Sequence, residues 1–227
     1  MKNVKLFWDI DGTLLKTNGS AAIPFAKAVS DFSGINVVIE RKKLSGYTDY
    51  EIAISLLHSI GITTDIKNIT MILENYTANL PESLKNGVVE KIGNIEQVLE
   101  ILLDDSSLEL AIGTGNCLSG ARIKLKYVSL QTYFDDQNMF CASENEWSRD
   151  LILKNAKNSL LPHQIGIVIG DSPRDILSAK ASGLKNISVT SGGYSRSELS
   201  NYKPDLILEA GWDIKDLTEG IRKLTTI

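Results

Sequence analysis

The sequence predicts an α/β protein: an open parallel sheet whose first strand is followed directly by a helical insertion. Two observations carry this. Short apolar segments, Val4 to Trp8, Leu108 to Ile112 and Ile165 to Ile169, each run into small or acidic residues and alternate with helix-patterned stretches, the pattern of strands buried on both faces. Between the first two of them stand three helix-patterned segments with no strand among them, more than one crossover between parallel strands requires.

The first strand, apolar apart from Lys5, should stop at Asp9, because Asp9, Asp11 and Gly12 are poor strand formers. Both acids then project at a strand's carboxyl end, where open parallel sheets bind ligands, and their spacing of two lets them share one cation or one phosphate. Helices are expected over Ala21 to Phe32, Asp49 to Ile60 and Ile66 to Leu80, each with apolar residues at helical spacing. Before the second, Leu44-Ser45-Gly46-Tyr47-Thr48-Asp49 places a glycine and a Thr-Asp pair at a helix amino terminus, where Gly46 and Thr48 suit substrate contact and Thr48 or Asp49 equally suits a helix cap. A helix from Ile95 to Leu103 leads to the strand Leu108 to Ile112 and the turn Gly113-Thr114-Gly115-Asn116, whose hydroxyl and backbone N–H groups can face an anion. The strand Asn138 to Ala142 and a polar loop with Trp147 precede a helix from Arg149 to Leu161. The strand Ile165 to Ile169 enters Gly170-Asp171-Ser172-Pro173-Arg174-Asp175 and a helix closed by Gly183. Strands Ile187 to Thr190 and Asp205 to Leu208 follow.

A net charge of −4 and a pI near 5.3, with no basic block, disfavour nucleic acid and acidic membranes as partners. No stretch is long and apolar enough to span a bilayer, and the chain enters a strand at once, so a cytoplasmic protein is expected, monomer or homodimer. Cys117 and Cys141 read as packing thiols, and His58 and His163 have no likely ligand beside them.

Asp9-Ile10-Asp11-Gly12-Thr13 after an apolar strand resembles the first motif of the haloacid dehalogenase superfamily, and Gly170-Asp171 to Asp175 resembles its fourth. Thr114, ending an apolar strand after the insertion, matches the more permissive second motif. The resemblance implies a Rossmann-like core of residues 1–15 and 89–227 and a C1-type helical cap of residues 16–88. It implies a Mg²⁺-dependent phosphatase acting on a small phosphorylated metabolite. Asp9 would be the nucleophile and Asp11 the acid and base; Asp9, Asp11 through its carbonyl, and Asp171 would hold the ion, with Asp175 ordering its water shell. Thr114 and the Gly115 N–H would bind phosphate. The third motif, usually a lysine, is altered: Arg149 falls near its place, Lys154 is the alternative, and the ordinary role for Arg149 is a surface pair with Glu144, Glu146 or Asp150. Tyr47 replaces a basic residue frequent in phosphoglycolate-phosphatase-like members. A sugar phosphomutase and a catalytically silent binding member are the competing readings. Clustered acids, which repel unless a cation is bound, argue against the silent member, and Asp11, absent from dehalogenases, argues for phosphate chemistry.

Overall fold

Val4–Trp8 (β1) is buried along its whole length, and its side chains alternate between the two faces of the sheet: Leu6 and Trp8 enter one apolar cluster and Phe7 the other. In this computed structural model, which describes residues 3–40 and 44–225, β1 is flanked on both sides by parallel strands. Val4 aligns with Leu108 of one neighbour and Ile165 of the other, and Trp8 aligns with Ile112 and Ile169. The one charged residue of β1, Lys5, is also buried; it donates to Asn138 Oδ1 at 2.7 Å and pairs with Glu109 at 3.2 Å, which answers its desolvation.

The neighbours are Leu108–Cys117 (β4) and Ile165–Gly170 (β6). With Met139–Ala142 (β5), Lys185–Val189 (β7) and Leu206–Leu208 (β8) they form a six-stranded sheet of order β5-β4-β1-β6-β7-β8, parallel at every pairing. The chain builds outward on one side of β1 and then crosses to the other, which places a crevice at the carboxyl ends of β4, β1 and β6. One face packs on Ile95–Asp104 (α4) and Ile214–Thr225 (α9), the other on Arg149–Asn158 (α6) and Pro173–Ala181 (α7). Leu118–Tyr127 (α5) follows β4.

The helical insertion comprises Ala22–Ser33 (α1), Asp49–Ser59 (α2) and Ile66–Asn86 (α3). Its entry and exit lie side by side: Leu15–Lys16 (β2) pairs antiparallel with Glu90–Lys91 (β3). Its interior is continuous with one sheet face, since Phe25, Leu57, Tyr76 and Leu80 belong to the same buried cluster as Phe7, Phe140 and Val168.

Three expected boundaries move. The third helix continues past Leu80 and Pro81 to Asn86, because Leu80 and Leu84, one turn apart, are both fully buried and their burial outweighs the interior proline. The strand β4 does not stop at Ile112 but runs through Gly113–Asn116 to Cys117, pairing Gly113 with Phe140 and Cys117 with Ala142 across a register shift. The sixth helix ends at Asn158, short of Leu161. Among the described residues no helix is long and apolar enough to cross a membrane.

Candidate active site

The parallel register of β1, β4 and β6 brings the ends of three apolar segments together, and with them Asp9, Thr114 and Asp171. Asp9 is buried; its N–H donates to the Ile169 carbonyl at 2.9 Å, anchoring the end of the strand to β6. Its Oδ1 accepts from Thr114 Oγ1 at 2.9 Å and lies 3.1 Å from the Arg149 guanidinium. After Asp9 the chain turns sharply, Gly12 N–H donating to Leu15 O at 2.8 Å with φ of 82° at Gly12. That glycine is required twice over, since a Cβ there would also meet the Asp171 carboxylate at 2.6 Å. Gly192 packs on the other side of Asp171, where a Cβ would sit 1.6 Å from Oδ2. Two glycines thus cradle this acid.

Asp9, Asp171 and Asp175 each offer a carboxylate oxygen within 4.8 Å of the others, all buried. Burial pushes the Asp9 carboxyl up to about 6, with Asp175 and Asp11 adding to the rise while Arg149 and the Thr114 hydroxyl oppose it. Asp171 is pushed well above the usual carboxylate range by burial and then by Asp175 and Asp9. Burial and mutual repulsion thus disfavour charge on Asp9 and Asp171 in the absence of a further cation, and the hard oxygen donors of the three acids can hold a metal ion. Asp175 is the more committed: one oxygen accepts from Arg149, and the other from Ser172 N–H at 3.0 Å and Ser172 Oγ at 2.7 Å, closing the capping box of α7.

Arg149 opens α6 and is no surface residue: it is 3% exposed and bridges Asp9 and Asp175, which hold it firmly cationic against its own desolvation. Lys154, the alternative, is exposed on the body of the same helix. Asp11 sits on the turn beyond Asp9, with Oδ2 accepting from Asn116 Nδ2 at 2.8 Å and from Lys124 Nζ at 2.5 Å.

The insertion closes over these groups to leave a cavity of about 470 Å³. Asp9, Asp11, Asn116, Lys124, Arg149 and Asp171 form its polar side; Phe25, Ile39, Leu44, Tyr47, Ile52 and Tyr76 form the facing side. Gly115 and Gly46 both line it and permit the close approach: a Cβ on Gly115 would meet Thr48 Cα and the Tyr47 carbonyl at 3.0 Å, and one on Gly46, whose φ is 79°, would meet Ser172 Oγ at 2.7 Å. Tyr47 stacks on the Arg174 guanidinium at 3.6 Å, and Arg174 pairs with Glu51 at 3.3 Å, so loop and α2 are seated on α7.

Thr48 departs from its expected place in substrate binding. Fully buried and outside the cavity lining, it accepts from Glu51 N–H in the capping box of α2 and donates to the Trp147 carbonyl at 2.5 Å. Thr48→Ala is therefore expected to lower stability by about 1–2 kcal/mol, and Thr48→Ser to retain most of it, as read by thermal unfolding. A Thr48→Ala protein with unchanged unfolding would contradict the capping role.

Lys124 and Tyr76 line the cavity although the sequence reading did not single them out, and Asn116 and Asp49, read there as a turn residue and a candidate cap, line it as well. Asp49 is buried, lines the cavity and accepts from Cys117 N–H at 2.8 Å. For Lys124 a signal was present: it lies three residues after Ala121 and beside Leu125, on the apolar stripe of α5, where a lysine is out of place unless paired.

Comparison with known proteins agrees with this fold. A protein from Caldanaerobacter subterraneus named as a proposed pyrophosphatase, PpaX, is 24% identical over 221 residues, spanning 97% of this chain and 96% of its own. The structure of a predicted phosphatase from Clostridium acetobutylicum superposes with a TM-score of 0.72 at 22% identity, covering 98% of this chain and 99% of its own. That of a proposed β-phosphoglucomutase from Bacteroides vulgatus gives 0.72 at 18% identity, covering 99% and 90%. The model of the haloacid dehalogenase-like hydrolases matches residues 6–189, from the strand that delivers Asp9 to the strand β7 beyond Asp175, and the chain belongs to that family.

Proposed function

We propose that the protein is a Mg²⁺-dependent phosphatase that cleaves small phosphomonoesters through an aspartyl-phosphate on Asp9. One observation carries this reading: a buried carboxylate, Asp9, is met by a hydroxyl and a guanidinium, stands beside two further acids, and lines a cavity that also holds Asp11. Asp9 and Asp171, with Asp175 near them, suit a small divalent ion; Mg²⁺ bound there supplies positive charge against the nucleophile and the phosphate.

This chain's residues divide the remaining work. An Asp9 oxygen attacks phosphorus while the bond from phosphorus to the leaving oxygen breaks, and Asp11 gives its proton to that oxygen. Asp11 then takes a proton from the water that attacks the phosphorylated Asp9, releasing inorganic phosphate and restoring the carboxylate. Thr114, on turning its hydroxyl proton from Asp9, and Arg149 would donate to phosphate oxygens, and the apolar wall that includes Phe25, Leu44 and Ile52 would face the leaving group.

The test is phosphate release, with and without Mg²⁺, from an aryl phosphate, pyrophosphate, a hexose phosphate and phosphoglycolate, with isomer formation followed for the hexose phosphate. Magnesium-dependent release is expected. Isomer formation without release would favour the mutase suggested by the Bacteroides relative's name, and no turnover of any kind would overturn the reading. Asp11→Asn is expected to slow esters of poorly acidic alcohols by about 10²–10⁴-fold, the usual contribution of a positioned proton donor. Unchanged rates on such esters would remove Asp11 from acid and base work.

A further inference from the structure

Lys124 is 3% exposed, and an ammonium so far from water must spend its protons on partners. Its Nζ donates to Asp11 Oδ2 and to Asn116 Oδ1, both at 2.5 Å. Asn116 in turn donates to the same Asp11 oxygen at 2.8 Å and to Thr114 Oγ1 at 3.0 Å, and Thr114 donates to Asp9. One connected network therefore touches both carboxylates of the first motif. Both of its donors to Asp11 converge on Oδ2; among the described residues no side chain or N–H bonds Oδ1, and Asp11 lines the cavity.

We propose that Lys124 is the positioning residue for Asp11, clamping Oδ2 so that Oδ1 is the oxygen presented to the leaving group and to the attacking water. The proposal rests on the acid and base role given to Asp11 above. An aspartate on a turn has two free side-chain torsions, and proton transfer needs a heavy-atom approach of about 2.6–3.2 Å, so an unclamped carboxylate would spend much of its time misdirected. Charge-assisted bonds from Lys124 and Asn116 remove that freedom. Lys124 is carried by α5 of the core and lines the cavity together with Asp49 and Tyr76 of the insertion, so the clamp lies where the two meet.

The experiment measures kcat/KM for Lys124→Met, Lys124→Arg, Asp11→Asn and the Lys124→Met/Asp11→Asn double variant across phosphomonoesters whose leaving alcohols run from nitrophenol to alkyl. A residue that acts through Asp11 tilts this series. Lys124→Met is expected to lose about a hundredfold on alkyl esters and far less on the nitrophenyl ester, following Asp11→Asn, with Lys124→Arg regaining part. The double variant is expected to be no slower than Asp11→Asn alone. A uniform loss across the series, or losses that multiply in the double variant, overturns the proposal and makes Lys124 a support of the fold or of phosphate binding. Should Lys124→Met not fold, Lys124→Arg carries the test, with a smaller tilt expected and a flat series overturning it. Wild-type protein that releases no phosphate overturns the phosphatase reading and this proposal together, whereas active wild type with untilted variants overturns the role of Lys124 alone.

Discussion

Replacing Asp9 by Asn is expected to reduce Mg²⁺-dependent turnover by about 10⁴-fold or more while leaving the folded protein at least as stable without metal as the wild type. The catalytic loss follows from chemistry: an amide is a far weaker nucleophile and a poorer metal ligand than a carboxylate, and losing a covalent nucleophile removes the step that every later one depends on. The stability side follows from position. Asp9 is buried beside Asp171 and Asp175, and its carboxyl is pushed up to about 6 chiefly by burial, so its negative charge is held at a cost in the metal-free protein. An isosteric amide ends that repulsion and still accepts from the Thr114 hydroxyl. Steady-state rates with Mg²⁺ and thermal unfolding in chelator measure the two halves. Near-normal turnover would sink the covalent mechanism; a large drop in metal-free stability would mean that the Asp9 charge is held favourably, by Arg149 above all.

Arg149→Ala is expected to be damaging in both respects. Its guanidinium bridges Asp9 and Asp175 at 3% exposure, and removing one partner of a buried ion pair typically costs about 3–5 kcal/mol because the other charges remain buried and uncompensated. Turnover should fall by about 10²–10³-fold, the scale for losing one preorganised donor to developing charge. Arg149→Lys should recover only part, since an ammonium on a single stem does not reproduce a planar fork spanning two acids. Adding Mg²⁺ should raise the unfolding temperature of Arg149→Ala more than that of wild type, because the ion then supplies the charge that the arginine no longer does. Lys154→Ala, on the exposed side of the same helix, should change stability by no more than about 0.5 kcal/mol. Wild-type stability in Arg149→Ala, or a larger loss of turnover in Lys154→Ala, would move the cationic role away from Arg149.

Much of this arrangement was legible in the chain itself. Asp9 and Asp171 were visible because each follows an apolar run that reads as a buried strand, and an acid there breaks propensity and periodicity at once. The insertion was visible because three helix-patterned segments precede the second strand. Gly12 stood in the sequence as a break after the first strand; its work with Gly192 as a cradle for Asp171 needed coordinates.

The sequence by itself determined the parallel α/β core, the place of the insertion and the acids at the strand ends, because strand burial and strand termination are local properties written in runs of a few residues. Only the tertiary structure decided which polar side chains serve those acids. Arg149 reads locally as a surface arginine with acids nearby in sequence, and Lys124 as one of three basic residues in a helix; both are buried against carboxylates more than 100 residues away, or 26 in the case of Asp175. Thr48 suited substrate contact and a helix cap equally in the sequence, and the packing of α2 on the Trp147 loop selected the cap. Which face a helix buries, and what lies opposite, depends on sheet order and register, and those arise from pairings between strands distant in sequence, such as β1 with β4 and β6.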